Sequence, residues 1–194
     1  MHPSTSPEGA RAPFPPIFLI GFMGCGKTTV GGVLASRIRG RFVDLDERVV
    51  TQAGRSIPEI FHAEGEEGFR RREHAALRAV CQDIEAEHGT PVAAIPFVIA
   101  LGGGTFAQTA NRDLVGGTGV SVWLDAPFEI LLPRLVGQPG RPLMTDISRA
   151  QSLYQTRRPL YALADFRIEI KNLTPDQMAE EIVKALQTKF KPNL

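Results

Sequence analysis

Short apolar runs bounded by turn residues alternate along the chain with stretches of helical period, the pattern of a parallel sheet covered by helices on both faces. Ile17-Phe18-Leu19-Ile20 has no polar interruption, as a strand buried on both faces requires. A glycine-rich turn follows, then a helix predicted from about Lys27 to Arg39. Phe42-Val43 opens a second short strand that ends in Asp44-Leu45-Asp46. Phe97 to Leu101, Val120 to Leu124 and Phe166 to Ile170 predict three more strands, and Pro175 to Phe190 a closing helix.

Between the second and third strands the period changes to helical. Ser56-Ile57-Pro58-Glu59 has the spacing of a capping box, with Ser56 as N-cap and Glu59 reaching back, so a helix should begin there. Gly65 should break it. A longer helix is predicted from about Glu66 to Glu87, with Phe69, Leu77, Val80, Cys81 and Ile84 on one face. Gly89, Pro91 and Pro96 close this region, and Gly137-Gln138-Pro139-Gly140-Arg141-Pro142 reads as a mobile loop. Residues 1–16, rich in Pro, Ser, Gly and Ala, read as a disordered tail.

Composition narrows the function. The chain has 194 residues, enough for one domain with a real core, and its 43% apolar and 22% charged content is ordinary for a globular protein. A net charge of +1 leaves no field to attract nucleic acid or an anionic membrane, so neither partner is expected. Two cysteines, Cys25 and Cys81, make no disulfide framework, and a cytoplasmic location is expected. The four histidines lack metal-ligand spacing, and Trp123 reads as core.

Gly21-Phe22-Met23-Gly24-Cys25-Gly26-Lys27-Thr28 fits G-x-x-x-x-G-K-[ST] between a strand and a helix. Glycines let the backbone wrap so that N–H groups point at phosphate oxygens, and the helix adds its positive end. Gly24, Cys25, Gly26, Lys27, Thr28 and Thr29 are therefore the predicted ATP-binding run, with Lys27 on the β- and γ-phosphates and Thr28 on Mg²⁺. A chance glycine turn would not place all these features in register. Cys25 reads as a small filler.

Asp44 and Asp46, two apart in a strand, should face one cleft, where one carboxylate supports the metal shell and the other orients a hydroxyl nucleophile. Arg70 lies beside Glu73 and His74 on its helix and can present a fork to a carboxylate or phosphate, whereas Arg71 and Arg72 read as a solvated face. Three glycines, Gly102-Gly103-Gly104, imply a close approach to the backbone or else a plain turn. Arg141, Arg157 and Arg158 are open to a surface reading.

These motifs together resemble the shikimate kinases. The resemblance runs from Ile17 to about Leu186 and is carried by Gly21 to Thr28, Asp44-Leu45-Asp46, the run from Ala53 to Glu73, Leu101 to Gly104, Arg141-Pro142-Leu143 and Arg157-Arg158-Pro159-Leu160-Tyr161. It implies a three-layer α/β fold like that of nucleoside monophosphate kinases, with a five-stranded parallel sheet in a single kinase domain, residues 17–190. A helical substrate insert at about 47–90 and a lid loop at about 137–146 are further implications. So is transfer of the γ-phosphoryl of ATP to the 3-hydroxyl of shikimate, with Mg²⁺ and in a monomer. By position, Lys27, Asp46 and Arg141 would be catalytic, Asp46 contacting the substrate hydroxyls and Arg141 reaching the phosphates from the lid. Asp44 would hold Mg²⁺ through water, Arg70 and Arg157 would clamp the shikimate carboxylate, and the Gly102, Gly103 and Gly104 backbone would line the same pocket. Arg134 matches a position near the nucleotide base.

Three features depart from the family pattern: a longer segment around His88 to Pro96, Leu173 where an arginine is frequent, and the N-terminal tail. The rival readings are another small-metabolite kinase such as a gluconate kinase, or a regulatory module that binds nucleotide without catalysis. The second predicts damage at Lys27, Thr28, Asp46 or Arg141, and all four are intact.

Overall fold

The computed structural model describes residues 14–87, 95–135, 147–171 and 173–190, and its five strands form one parallel sheet in the order β2-β3-β1-β4-β5. They are β1 (Ile17–Ile20), β2 (Arg41–Asp44), β3 (Phe97–Ala100), β4 (Val120–Asp125) and β5 (Phe166–Glu169). Among the helices, α1 is Lys27–Arg37, α2 Leu45–Ala53, α3 Ile57–Glu87, α4 Thr109–Thr118, α5 Phe128–Leu135, α6 Ile147–Tyr161 and α7 Pro175–Lys189. A 3-10 turn covers Thr105–Ala107.

Every residue of β1, β3 and β4 is buried, while the edge strands β2 and β5 are partly exposed. Burial on both faces needs helices on both faces, so the three-layer expectation holds. Helix α1 packs on β1, β2, β3 and α7; α3 packs on α2 and α4, and α4 on β4. One hydrophobic cluster joins these layers, with Phe18, Leu19, Leu34, Leu77 and Ile99 fully buried in it. Strand β1 lies between β3 and β4, so connections leave it and β3 towards opposite edges. Ligands of open α/β sheets gather at the strand carboxyl ends beside such a reversal.

Local chemistry explains the insert. Glu59 Oε2 accepts from both the Ser56 backbone N–H (2.7 Å) and hydroxyl (2.6 Å), which forms the predicted cap. Gly65, at φ 68 and ψ −175, interrupts the helical backbone of α3, as expected of a residue without a Cβ. Arg72 departs from its expected solvated role. It holds Glu64 with two bonds of 2.8 and 2.7 Å across that kink, which fixes the angle between the two parts of α3. Arg71 is exposed and pairs with Glu67 one turn away, as a solvated face implies.

Two boundaries differ from the sequence pattern. Strand β2 ends at Asp44, and Leu45 and Asp46 open α2 instead of extending the strand. The expected tail, 1–16, meets the body earlier: Phe14 is buried in the core, and the Pro16 carbonyl accepts from Val120 N at 2.8 Å. Residues 1–13 of that tail, 88–94 of the longer segment and the lid loop at 137–146, including Arg141, lie outside the described residues. No described helix is long and apolar enough to cross a membrane.

Candidate active site

The loop from β1 to α1 is shaped by glycines in left-handed backbone, Gly21, Gly24 and Gly26 at φ 141, 79 and 95. Gly26 is the N-cap of α1 and supplies no side-chain acceptor, so the N–H groups of the first turn remain available to an anion. Lys27 Nζ donates to the Gly21 and Phe22 carbonyls at 3.0 and 3.1 Å. The ammonium is thus held over its own loop, where a phosphate oxygen would replace those carbonyls. Cys25 is fully buried beneath the loop, as its filler role requires.

Asp44 and Asp46 reach the site from a helix start rather than along a strand. Asp44 has extended backbone and N-caps α2, its Oδ1 accepting from Asp46 N (3.0 Å) and Glu47 N (3.4 Å). Its other oxygen, Oδ2, accepts from the Thr28 hydroxyl at 2.7 Å. The cap therefore aims one carboxylate edge at the phosphate loop. Asp46 lies in the first turn of α2, and a Cβ added to Gly102 would stand 2.9 Å from its Oδ1. The two carboxylates share a cleft as expected, but through a cap and a helical turn.

The triple glycine is approached closely, and by protein side chains. A Cβ on Gly102 would lie 2.5 Å from Glu73 Oε1, and one on Gly104 would lie 2.5–2.7 Å from the Arg70 guanidinium. Gly103 faces Arg157, whose Nη1 stands 3.7 Å from its missing Cβ. Glu73 is wholly buried yet well supplied with donors: Arg70 Nη1 at 2.8 Å, the Thr105 hydroxyl at 2.5 Å and Gln108 Nε2 at 3.5 Å. Burial works against the Arg70 charge, but Glu73 and Glu66 outweigh it and hold the guanidinium pKa above its ordinary value.

A cavity of about 600 Å³ joins these parts. Gly24, Cys25, Gly26, Lys27, Thr28 and Thr29 line one side, and Asp44, Asp46, Gly102 and Gly103 another. Arg134 closes one end, its Nη1 donating to Gly24 O at 3.1 Å, next to Leu173, Pro175 and Met178. Gly104, Arg70 and Arg157 flank the cavity across the triple glycine. Sequence reasoning did not select Glu73, Thr105, Pro175, Met178 or Tyr161 as site residues. The one usable signal was Glu73 at i+3 from Arg70. Arg158 is exposed, as a surface reading expects, and from there donates to Asp125 at 3.1 Å and lies over the Trp123 ring.

A phosphate-cradling loop at the sheet's reversal, facing acid groups across one cavity, is the arrangement of ATP-dependent P-loop kinases, and fold and site place the chain in that class. Comparison with known proteins narrows it. The family model for shikimate kinase matches residues 23–187. A shikimate kinase of Rhodopirellula baltica is 42% identical over 177 residues, 87% of this chain and 89% of that protein. One of Symbiobacterium thermophilum is 42% identical over 178 residues, 88% of this chain and 95% of its own. The solved shikimate kinase from Acinetobacter baumannii, in complex with shikimate, superposes with a TM-score of 0.79 at 32% identity, covering 91% of this chain and 94% of that one. A gluconokinase from Sinorhizobium meliloti shares the fold, at a TM-score of 0.56 and 15% identity, covering 95% of this chain and 100% of that one. The chain belongs to the shikimate kinase family.

Proposed function

We propose that this chain transfers the γ-phosphoryl group of ATP to the 3-hydroxyl of shikimate, giving shikimate 3-phosphate and ADP on the route to chorismate and the aromatic amino acids. The observation that carries the reading is the triple glycine, with Asp46, Arg70 and Arg157 gathered on its surface beside the phosphate loop. Arg70 and Arg157 suit a carboxylate, and Asp46 suits a hydroxyl that must be aligned for attack. Lys27 exchanges its two loop carbonyls for phosphate oxygens when nucleotide enters. Leu173, Pro175 and Met178, which line the cavity together with Arg134, offer the adenine an apolar contact.

The Thr28 hydroxyl and the Asp44 carboxylate are hard oxygen donors at the loop mouth and fit Mg²⁺, which takes few protein ligands and completes its shell with water and phosphate. When bound, Mg²⁺ would offset charge on the phosphoryl oxygens. Arg141 would add a guanidinium from the lid at 137–146, and a closed lid would exclude the water that otherwise competes as acceptor. The catalytic unit is the single domain 17–190, with the insert at about 47–90 presenting Arg70. In this reading the chain works as a monomer. The two free, buried cysteines fit a reducing cytoplasm.

A coupled ADP-release assay over a panel of acceptors tests the proposal. Shikimate is expected to give the highest kcat/KM. A higher value for gluconate or a nucleoside monophosphate would overturn the substrate while leaving the kinase class intact.

A further inference from the structure

Helix α6 carries two buried tyrosines seven residues apart, Tyr154 and Tyr161, exposed by 7% and 1%. Each donates its hydroxyl to a backbone carbonyl beyond the carboxyl end of a strand: Tyr154 to Ala126 O at 3.0 Å, and Tyr161 to Gly103 O. Between them Arg158 donates to Asp125 and lies over Trp123, on which the Tyr161 ring also leans with centroids 6.1 Å apart. One face of α6 is therefore fixed to the sheet at three points.

The two phenols hold different things. The Tyr154 acceptor follows β4, away from the triple glycine. The Tyr161 acceptor is the central glycine of the three, and Arg157, one helical turn earlier, flanks that same glycine. Burial pushes the Tyr161 hydroxyl pKa far up, with the Arg157 guanidinium opposing it from close by, so the group stays protonated and donates.

We propose that Tyr161 is a positioning residue for the acid-binding half of the site, its hydroxyl holding the Gly103 peptide and the Arg157 guanidinium in one relative geometry. The inference rests on the reading of Arg157 as a clamp for the substrate carboxylate. A run of three glycines has unusual freedom to rotate its peptides, and an arginine has many rotamers, so both need an anchor. Without the hydroxyl the Gly103 carbonyl loses a buried donor and the clamp must be ordered anew by each substrate molecule. That cost falls on acid binding and leaves the phosphate half unchanged. Phenylalanine keeps the ring against Trp123 and removes only the oxygen.

The test compares the full-length wild type with Tyr161→Phe and Tyr154→Phe by steady-state kinetics, thermal unfolding and calorimetric titration with shikimate. Tyr161→Phe is expected to raise KM and Kd for shikimate about tenfold, the effect of one hydrogen bond to a site held ready for charge, with kcat and the ATP KM within about twofold. Tyr154→Phe loses an equivalent anchor of α6, so Tm should fall comparably while the shikimate KM stays within about twofold. An unchanged shikimate KM in Tyr161→Phe, beside a wild type that turns shikimate over, overturns the positioning role alone. An equal rise in Tyr154→Phe also overturns it, because loosening of the helix would then be the cause. A wild type that neither binds nor phosphorylates shikimate brings down the clamp reading, and this inference with it.

Discussion

Alanine at Gly102 adds a single methyl group at the most crowded point of the site. The Gly102 backbone lies outside the left-handed region, so alanine fits it without strain and only the space is at issue. The new Cβ would stand 2.5 Å from Glu73 Oε1 and 2.9 Å from both Asp46 Oδ1 and Thr105 Oγ1. Glu73 cannot retreat freely, since it is fully buried and its oxygens are held by Arg70, Thr105 and Gln108. Overpacking of this kind costs about 1–3 kcal/mol, and a weakened bond to an ionised group adds on the order of 1.5 kcal/mol. A combined loss of about 2.5–4.5 kcal/mol should lower Tm by roughly 5–18 °C in a chain of this size. Displacement of Asp46 should lower kcat/KM for shikimate at least about tenfold, which is about 1.4 kcal/mol of lost transition-state stabilisation. Gly103→Ala is the control for stability: its Cβ would meet nothing nearer than Met23 N at 3.4 Å, so Tm should stay within about 2 °C. Differential scanning calorimetry and the coupled assay measure both effects. A Gly102→Ala enzyme that melts with the wild type and keeps its kcat/KM would refute the reasoning.

Asp46→Asn removes the charge that aligns the acceptor hydroxyl and should lower kcat by about 10²–10⁴-fold while the affinity for ATP, read by titration, is retained. Arg70→Ala should raise the shikimate KM by roughly 10–100-fold, the loss of a charge-assisted pair of about 1.5–3 kcal/mol. It should also lower Tm, because Glu73 then stays buried without its cation. Arg141→Ala should depress kcat more than it weakens either substrate, as a contact made on lid closure does, and Arg141→Lys should rescue it only in part. Equal kcat in wild type and Arg141→Ala would remove 137–146 from the lid role.

The sheet and the phosphate loop were legible in the sequence because both rest on local signals. A continuous apolar run such as Ile17 to Ile20 admits few structures, and the Gly21 to Thr28 pattern specifies a backbone path by its glycines alone. The same holds for the Ser56–Glu59 cap and the Gly65 break. Helices α4 and α5 escaped, since Gly116-Gly117 in one and Pro133 in the other contradict their helical period. Asp46 was misread for a related reason: Asp44 ends the strand as expected but also caps a helix, and its bonds to the Asp46 and Glu47 N–H groups turn the chain helical where the sequence pattern continues the strand. The sequence by itself determined the class of chemistry, through motifs whose residues are neighbours along the chain. The tertiary structure alone decided that Glu73, Thr105 and Tyr161 meet at the triple glycine beside Arg157. Those contacts span 32 residues from Glu73 to Thr105 and 58 from Tyr161 to Gly103, distances over which no local period carries information.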